Sequence, residues 1–209
     1  MEVLIVSKTH MKNGVCVGGL ANNGRFVRLL DNHSHHQPSD STLEVRQIYN
    51  VTFSPRSNPI LPHSEDVLVQ SMEYRRTLNS NTDLIEYITE RGVRICNDNL
   101  EQLFQGSLKK TQNGSAYINA DNIPEQSVAF WISDKNLTRT THSEKNYYSY
   151  ALGPSPFAGS ISIPYVGFQP AVDQIPSGTL IRVSLARWWT PDEATTEKRC
   201  YLQLSGWYA

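Results

Sequence analysis

The sequence predicts a mainly β chain with minor α: two small β-barrels joined by a short helical segment. Three observations predict it. Residues 3–74 hold five short apolar runs separated by turn residues. Helical spacing is confined to a stretch after residue 80. From Ser115 the β pattern returns, and the chain closes on two β-rich runs with one apolar face.

Residues 3–6 form an apolar run suited to a buried strand. Gly14-Val-Cys-Val-Gly-Gly19 is a second, and Arg25-Phe-Val-Arg-Leu-Leu30 a third, entered through the turn signal Asn22-Asn23-Gly24. A polar, His-rich loop follows over residues 31–41. Residues 46–53 and 67–74 supply two more strands, parted by a bend with Pro55, Pro59 and Pro62. Five short strands at this density suit a small barrel. Residues 82–92 then place Leu84, Ile85 and Ile88 at helical spacing, with Thr82 or Asp83 as the cap and Gly92 as the stop. A further helical turn or two is expected over residues 98–106.

Strands are next expected at residues 116–118, 128–132, 147–152 and 161–166. The terminal pair is Gly178-Thr-Leu-Ile-Arg-Val-Ser-Leu-Ala-Arg-Trp-Trp189 and Arg199-Cys-Tyr-Leu-Gln-Leu-Ser-Gly-Trp-Tyr208, around a polar loop over 190–198. Alternation sends Ile181, Val183 and Leu185 to one face and Arg182 and Ser184 to the other. The expected division is a first barrel over 1–79, a helical bridge over 80–115 and a second barrel over 116–209.

Composition narrows the function. The 209 residues carry 19 Lys plus Arg against 20 Asp plus Glu, a formal net charge of −1. Indiscriminate DNA binding usually requires a basic protein, because counterion release drives it, so that class is disfavoured. Apolar residues at 39% and charged residues at 19% exclude global disorder. The three cysteines, Cys16, Cys96 and Cys200, show no zinc or redox spacing. Buried reduced thiols in a reducing cytoplasm are the expectation. The N-terminal apolar run is too short for a signal peptide or a membrane span.

Several stretches together resemble the dual OB-containing domain family of bacteria. They are Val6-Ser-Lys-Thr9, Cys16-Val-Gly-Gly19, Val27-Arg-Leu-Leu30, Pro62-His-Ser-Glu-Asp66, and within the terminal runs residues 180–189 and 200–208. The resemblance implies two OB (oligonucleotide/oligosaccharide-binding) barrels in one chain and a nucleic-acid or nucleotide ligand. It also implies a setting in bacterial conflict or defence, with a co-encoded defence protein as a further partner.

Four constellations can carry chemistry. Ser7, Lys8 and Thr9, where the first strand ends, offer a cation and two hydroxyls to phosphate oxygens, against the simpler reading of a solvated strand end. His63, Glu65 and Asp66 place an imidazole and two carboxylates within four residues, enough for acid–base work, although a Pro-terminated turn is the favoured explanation. His33, His35 and His36 lie in a polar loop and lack the further ligands of a zinc site. The last set is Arg182, Arg187, Trp188, Trp189, Tyr201, Trp207 and Tyr208, with Tyr147, Tyr148 and Tyr150 upstream. OB folds hold single strands by stacking bases on such rings while cations fix phosphates. Strand parity puts Arg182 and Trp188 on one side, and Arg187 and Trp189 on the other, unless a bulge intervenes.

No nucleophile motif is present, so binding is favoured over catalysis, and no cofactor or metal is expected. The leading expectation is single-stranded nucleic acid or a nucleotide-derived ligand, on a surface lined by Lys8, Arg28, Arg182 and some of the terminal aromatics. An enzyme acting on a nucleotide or modified base through His63, Glu65 and Asp66 is one alternative. A protein-interaction module is the other.

Overall fold

Strands β1 (Glu2–His10), β2 (Val15–Ala21), β3 (Phe26–Leu30), β4 (Gln47–Pro55) and β5 (Asp66–Thr77) close a barrel in the order β1-β2-β3-β5-β4. The structure is a computed structural model that describes residues 1–190 and 197–209. Neighbouring strands run antiparallel except β3 and β5, where residues 28–30 lie parallel to 66–68. Val3, Ile5, Val17, Val27, Leu29, Val51 and Val67 fill the interior, as period-2 alternation of β-branched and aliphatic residues demands. A register shift between Ile5 and Ser7 moves the end of β1, so that Ser7 lies opposite Gly18. All five strands expected in this stretch are present.

Helix α1 (Asn81–Glu90) follows, burying Leu84, Tyr87 and Ile88 at i, i+3 and i+4. Its cap is Ser80, whose Oγ accepts the Asp83 N–H at 3.1 Å, rather than Thr82 or Asp83. The Asp83 carboxylate in turn accepts the Asn79 N–H at 3.0 Å, so the two polar side chains satisfy N–H groups at the helix entry reciprocally. Gly92, at φ 62°, ends the helix as its sequence position suggested.

The chain divides into two compact units, residues 1–94 with 208–209, and residues 95–207. The second contains β6 (Ile95–Cys96), β7 (Lys109–Lys110), β8 (Ala116–Ile118), β9 (Val128–Ile132), β10 (Leu137–His142), β11 (Lys145–Ala151), β12 (Ser160–Pro164), β13 (Gln174–Ile175), β14 (Leu180–Leu185) and β15 (Cys200–Tyr208). Six strands pair as β6-β9-β14-β15-β8-β7 and four as β12-β11-β10-β13. A parallel bridge between Tyr165 and Leu204 joins the two sheets. With β9 and β10 taken as one interrupted strand, the path β9/β10-β11-β12-β15-β14 repeats the order of the first barrel, again with one parallel step. Here the barrel is open.

Strand β10 lacks a sequence signal, because Leu137 is its one aliphatic residue and the Thr residues on it face outward. Within the segment expected as helical turns over 98–106, the helical stretch Leu100–Gly106 is broken: Phe104 and Gln105 have positive φ and Leu103 is extended. Leu100, Leu103 and Phe104 enter the core instead, with Trp131, Tyr148, Tyr150, Ile181, Val183, Leu202 and Trp207. Most of the polar loop expected over 190–198 lies outside the described residues.

Two consequences can be measured. A Cβ on Gly19 would sit 2.4 Å from Val3 Cγ1 and 3.1 Å from Val27 Cγ2. Both neighbours are β-branched and stiff, so Gly19→Ala should destabilise the chain by about 1–3 kcal/mol in urea unfolding; an unchanged midpoint would mean the barrel wall yields there. Burial, with a smaller contribution from the hydrogen bond to Asp134, pushes the Tyr150 hydroxyl up to about 12. Burial likewise pushes the Cys200 thiol up to about 12. Unfolded thiols and phenols titrate near ~8.5 and ~10. The unfolded chain therefore releases protons that the folded chain keeps, and stability should fall as pH rises from about 9 towards 12. Urea midpoints of Tyr150→Phe and Cys200→Ala should each fall less steeply across that range.

Candidate nucleic-acid interface

In the first unit, cross-strand register gathers candidates on the outer side of the barrel. Ser7 faces Gly18, Gly18 faces Arg28, and Arg28 faces Asp66, so the four form one row, because directly paired residues share a face. Thr9, paired with Cys16, lies on the same side one step along. Lys8, opposite the inward-facing Val17, points the other way; its Nζ donates to Ser41 O at 2.8 Å and to Glu44 Oε1 at 2.6 Å.

Arg28 is 8% exposed. Its guanidinium donates to Asp66 Oδ1 at 2.9 Å and to Glu65 Oε1 at 3.3 Å. Arg56 donates to the other Asp66 oxygen at 2.9 Å. Burial pulls the Arg28 guanidinium down, but Cys16, Glu65 and Asp66 outweigh it and hold the group above its ordinary value. Two guanidiniums thus face two carboxylates, and the cluster has no formal excess of positive charge to draw a phosphate. His63 is buried. The loop histidines flank an open recess of about 470 Å³ lined by Asn13, Ser34, His35, His36 and Gln37 among others. Among the described residues no group of three or more His, Cys, Asp or Glu is placed to hold a metal ion.

In the second unit Arg182 is 5% exposed and donates to Ser205 Oγ at 3.0 Å, while Ser205 Oγ donates back to the Arg182 carbonyl at 2.9 Å. Trp207 is a core residue, with its ring centroid 5.1 Å from Tyr165 and 5.7 Å from Tyr148. The side-chain amide of Gln169 hydrogen-bonds both its N–H and its carbonyl. Tyr148 and Tyr150 are also core. Tyr208, which belongs to the first unit, donates its hydroxyl to the Val6 carbonyl.

One extra residue decides the fate of the tryptophan pair. Ala186 N–H donates to the Tyr201 carbonyl, and Trp189 exchanges two backbone bonds with Arg199. Between these points Arg187 and Trp188 oppose Cys200 alone, which is a β-bulge. Unbroken alternation would send Trp189 inward beside Ile181, Val183 and Leu185. With the bulge, Trp188 packs against the core, and Trp189 turns outward, 57% exposed. Arg187 is exposed, and its charge acts on the Cys200 thiol.

Trp189 now begins a row of rings. Its centroid is 6.1 Å from Tyr201, which lies 5.8 Å from Tyr117. Lys109, Tyr117 and Tyr201 stand in register across β7, β8 and β15. The Arg199 guanidinium carbon lies 4.4 Å above the Tyr117 ring, and Arg199 Nε donates to Glu197 at 2.6 Å. Glu197 also accepts from Asn119, which donates to Asp121 as well, and Asp121 takes Lys109 Nζ at 2.6 Å. The Tyr201 hydroxyl and Glu197 hold Arg199 above its ordinary value. Hydrogen bonds from Asn119 and Arg199 hold Glu197 below its own. Arg199 and Tyr201 on one face were readable from alternation in the last strand. Tyr117, Lys109 and Asn119 were not, because nothing local says which strand they join.

A closed five-stranded barrel and an open one of the same strand order define a protein of two OB-type barrels. The chain belongs to the family of the dual OB-containing domain, which matches residues 1–207. Among solved structures, the crystal structure of the p204 HINb domain is 12% identical, over 98% of this chain and 95% of that one, with a TM-score of 0.34. A murine DNA binding protein bound with double-stranded DNA is 13% identical, over 98% and 91%, with a TM-score of 0.28. Likeness at that level carries no argument about function. No curated protein matches the chain. No helix among the described residues is long and apolar enough to cross a membrane.

Removing one partner from a buried ion cluster strands the others without compensation. Asp66→Asn should therefore destabilise the first unit by about 3–5 kcal/mol, more than Arg56→Ala, whose side chain is 39% exposed. Comparing the two variants in urea unfolding checks the order.

Proposed function

We propose that this protein binds single-stranded nucleic acid, or a nucleotide-derived ligand, on the ring row of its second unit. The observation that carries the reading is Trp189, largely exposed beside Tyr201 and Tyr117 with Arg199 over the last ring. An exposed indole at the end of such a row is a stacking platform for an unpaired base, worth about 1–3 kcal/mol per base. Of the sequence candidates, Trp189 is the one this reading puts in direct contact with ligand. Ser7, Thr9 and Arg28 are buried, and the Arg28 cation is already matched by carboxylates, so they contribute little to this reading. The chain's net charge of −1 favours a selective ligand over bulk DNA.

Catalysis on a nucleotide through His63, Glu65 and Asp66 has less support, because guanidiniums already hydrogen-bond both carboxylates. We also propose the bacterial cytoplasm, in a conflict or defence system, as the setting. The family resemblance and the free thiols support it.

The test is tryptophan fluorescence. Trp131 and Trp207 are buried and Trp188 is half-buried, so Trp189 should dominate quenching by an added strand. Short oligothymidylate or oligouridylate should quench the emission, and Trp189→Ala should weaken binding about tenfold in anisotropy titrations. Unchanged affinity in that variant, or no binding of either strand at low salt, would remove the reading.

A further inference from the structure

We infer that the ring row recognises its ligand by the bases and not by the phosphates, so that its class of ligand is the unpaired nucleobase: a free strand end, an opened loop or a nucleotide. The inference rests on the proposed function and specifies what that site reads.

The two cations in register with the rings, Arg199 and Lys109, are already committed. Arg199 donates to Glu197 through Nε at 2.6 Å and through a second guanidinium nitrogen, and to the Tyr201 hydroxyl at 3.4 Å, while its carbon lies over Tyr117. Lys109 Nζ donates to Asp121 at 2.6 Å. Lys110 alternates to the other side of its strand. Asn119 bridges the two carboxylates, its amide donating to Asp121 at 2.9 Å and to Glu197 at 2.8 Å. The network therefore pairs two cations with two anions on the face where the rings stand.

Titration does not open it near neutral pH. Asp121 is held below the usual carboxylate range by hydrogen bonds from Lys109 and Asn119, and Glu197 by Asn119 and Arg199. Lys109 is held up by Asp121, and Arg199 by Tyr201 and Glu197. All four stay ionised and matched. A phosphate arriving at Arg199 or Lys109 must displace a carboxylate or stand beside one.

The indole of Trp189 is not committed in this way. Its exposed side takes any flat ring that is free of a stacking neighbour of its own, since every base has a π-face. Bases inside a duplex do not meet that condition. Few phosphate contacts also mean few released counterions, and so a shallow dependence on salt.

The full chain should be titrated with oligothymidylate and with an abasic strand of equal length, across a range of salt concentrations. The abasic strand carries the same phosphates without rings. Expected are binding of oligothymidylate with a log–log salt slope shallower than about one, and affinity for the abasic strand at least about tenfold weaker. Glu197→Gln releases Arg199 from its carboxylate and should steepen the slope by about one. Equal binding of both strands with a steep salt slope would overturn the base-directed inference while leaving single-strand binding intact. If neither strand binds, the proposed function falls and takes this inference with it.

Discussion

A ladder in which two residues face one sets the character of the second unit's surface. Side chains in a strand alternate with a period of two, so one added residue exchanges the two faces for everything beyond it. At Arg187 and Trp188 that exchange occurs opposite Cys200. Upstream, Ile181, Val183 and Leu185 pack the core. Downstream, the same parity would have buried Trp189 and exposed Trp188. The bulge gives the reverse, and the indole that turns out comes to lie beside Tyr201. Trp189 joins the Tyr201–Tyr117 pair because of that one local irregularity.

The placement of charge follows from a balanced composition. With nearly equal numbers of acids and bases, a cation that becomes buried meets a carboxylate or a hydroxyl within its own unit. Lys8 meets Glu44, Arg28 meets Asp66 and Glu65, and Arg182 meets Ser205. Buried charges persist only when matched in this way. Cations held so cannot also serve as a row of phosphate contacts. Trp189, by contrast, stands exposed beside Tyr201.

The two units solve one topology differently. The first closes its five strands with small β-branched residues, and Gly19 lets β2 lie against Val3 and Val27. The second interrupts its first strand between β9 and β10, fills its core with Trp131, Tyr148, Tyr150 and Trp207, and adds β6, β7 and β8 to its sheets. Larger rings need more room than a small closed barrel gives. The added strands supply the Tyr117 and Lys109 side of the candidate interface.

Alternation and turn chemistry are local, and they carried the sequence reading far. They determined the five strands of the first barrel, the helix with its Gly92 stop and the inward face of β14, while the resemblance to a family of two barrels rested on particular residue motifs. They did not reveal β10, whose outward Thr residues give no apolar rhythm, nor the break at Phe104. Partners distant in sequence were decided only by the tertiary structure. Arg28 and Asp66 are 38 residues apart, and Asn119 and Glu197 are 78 apart. Whether a given Arg or Trp is buried depends on which strand comes to lie beside it, and no periodicity within a single strand contains that information.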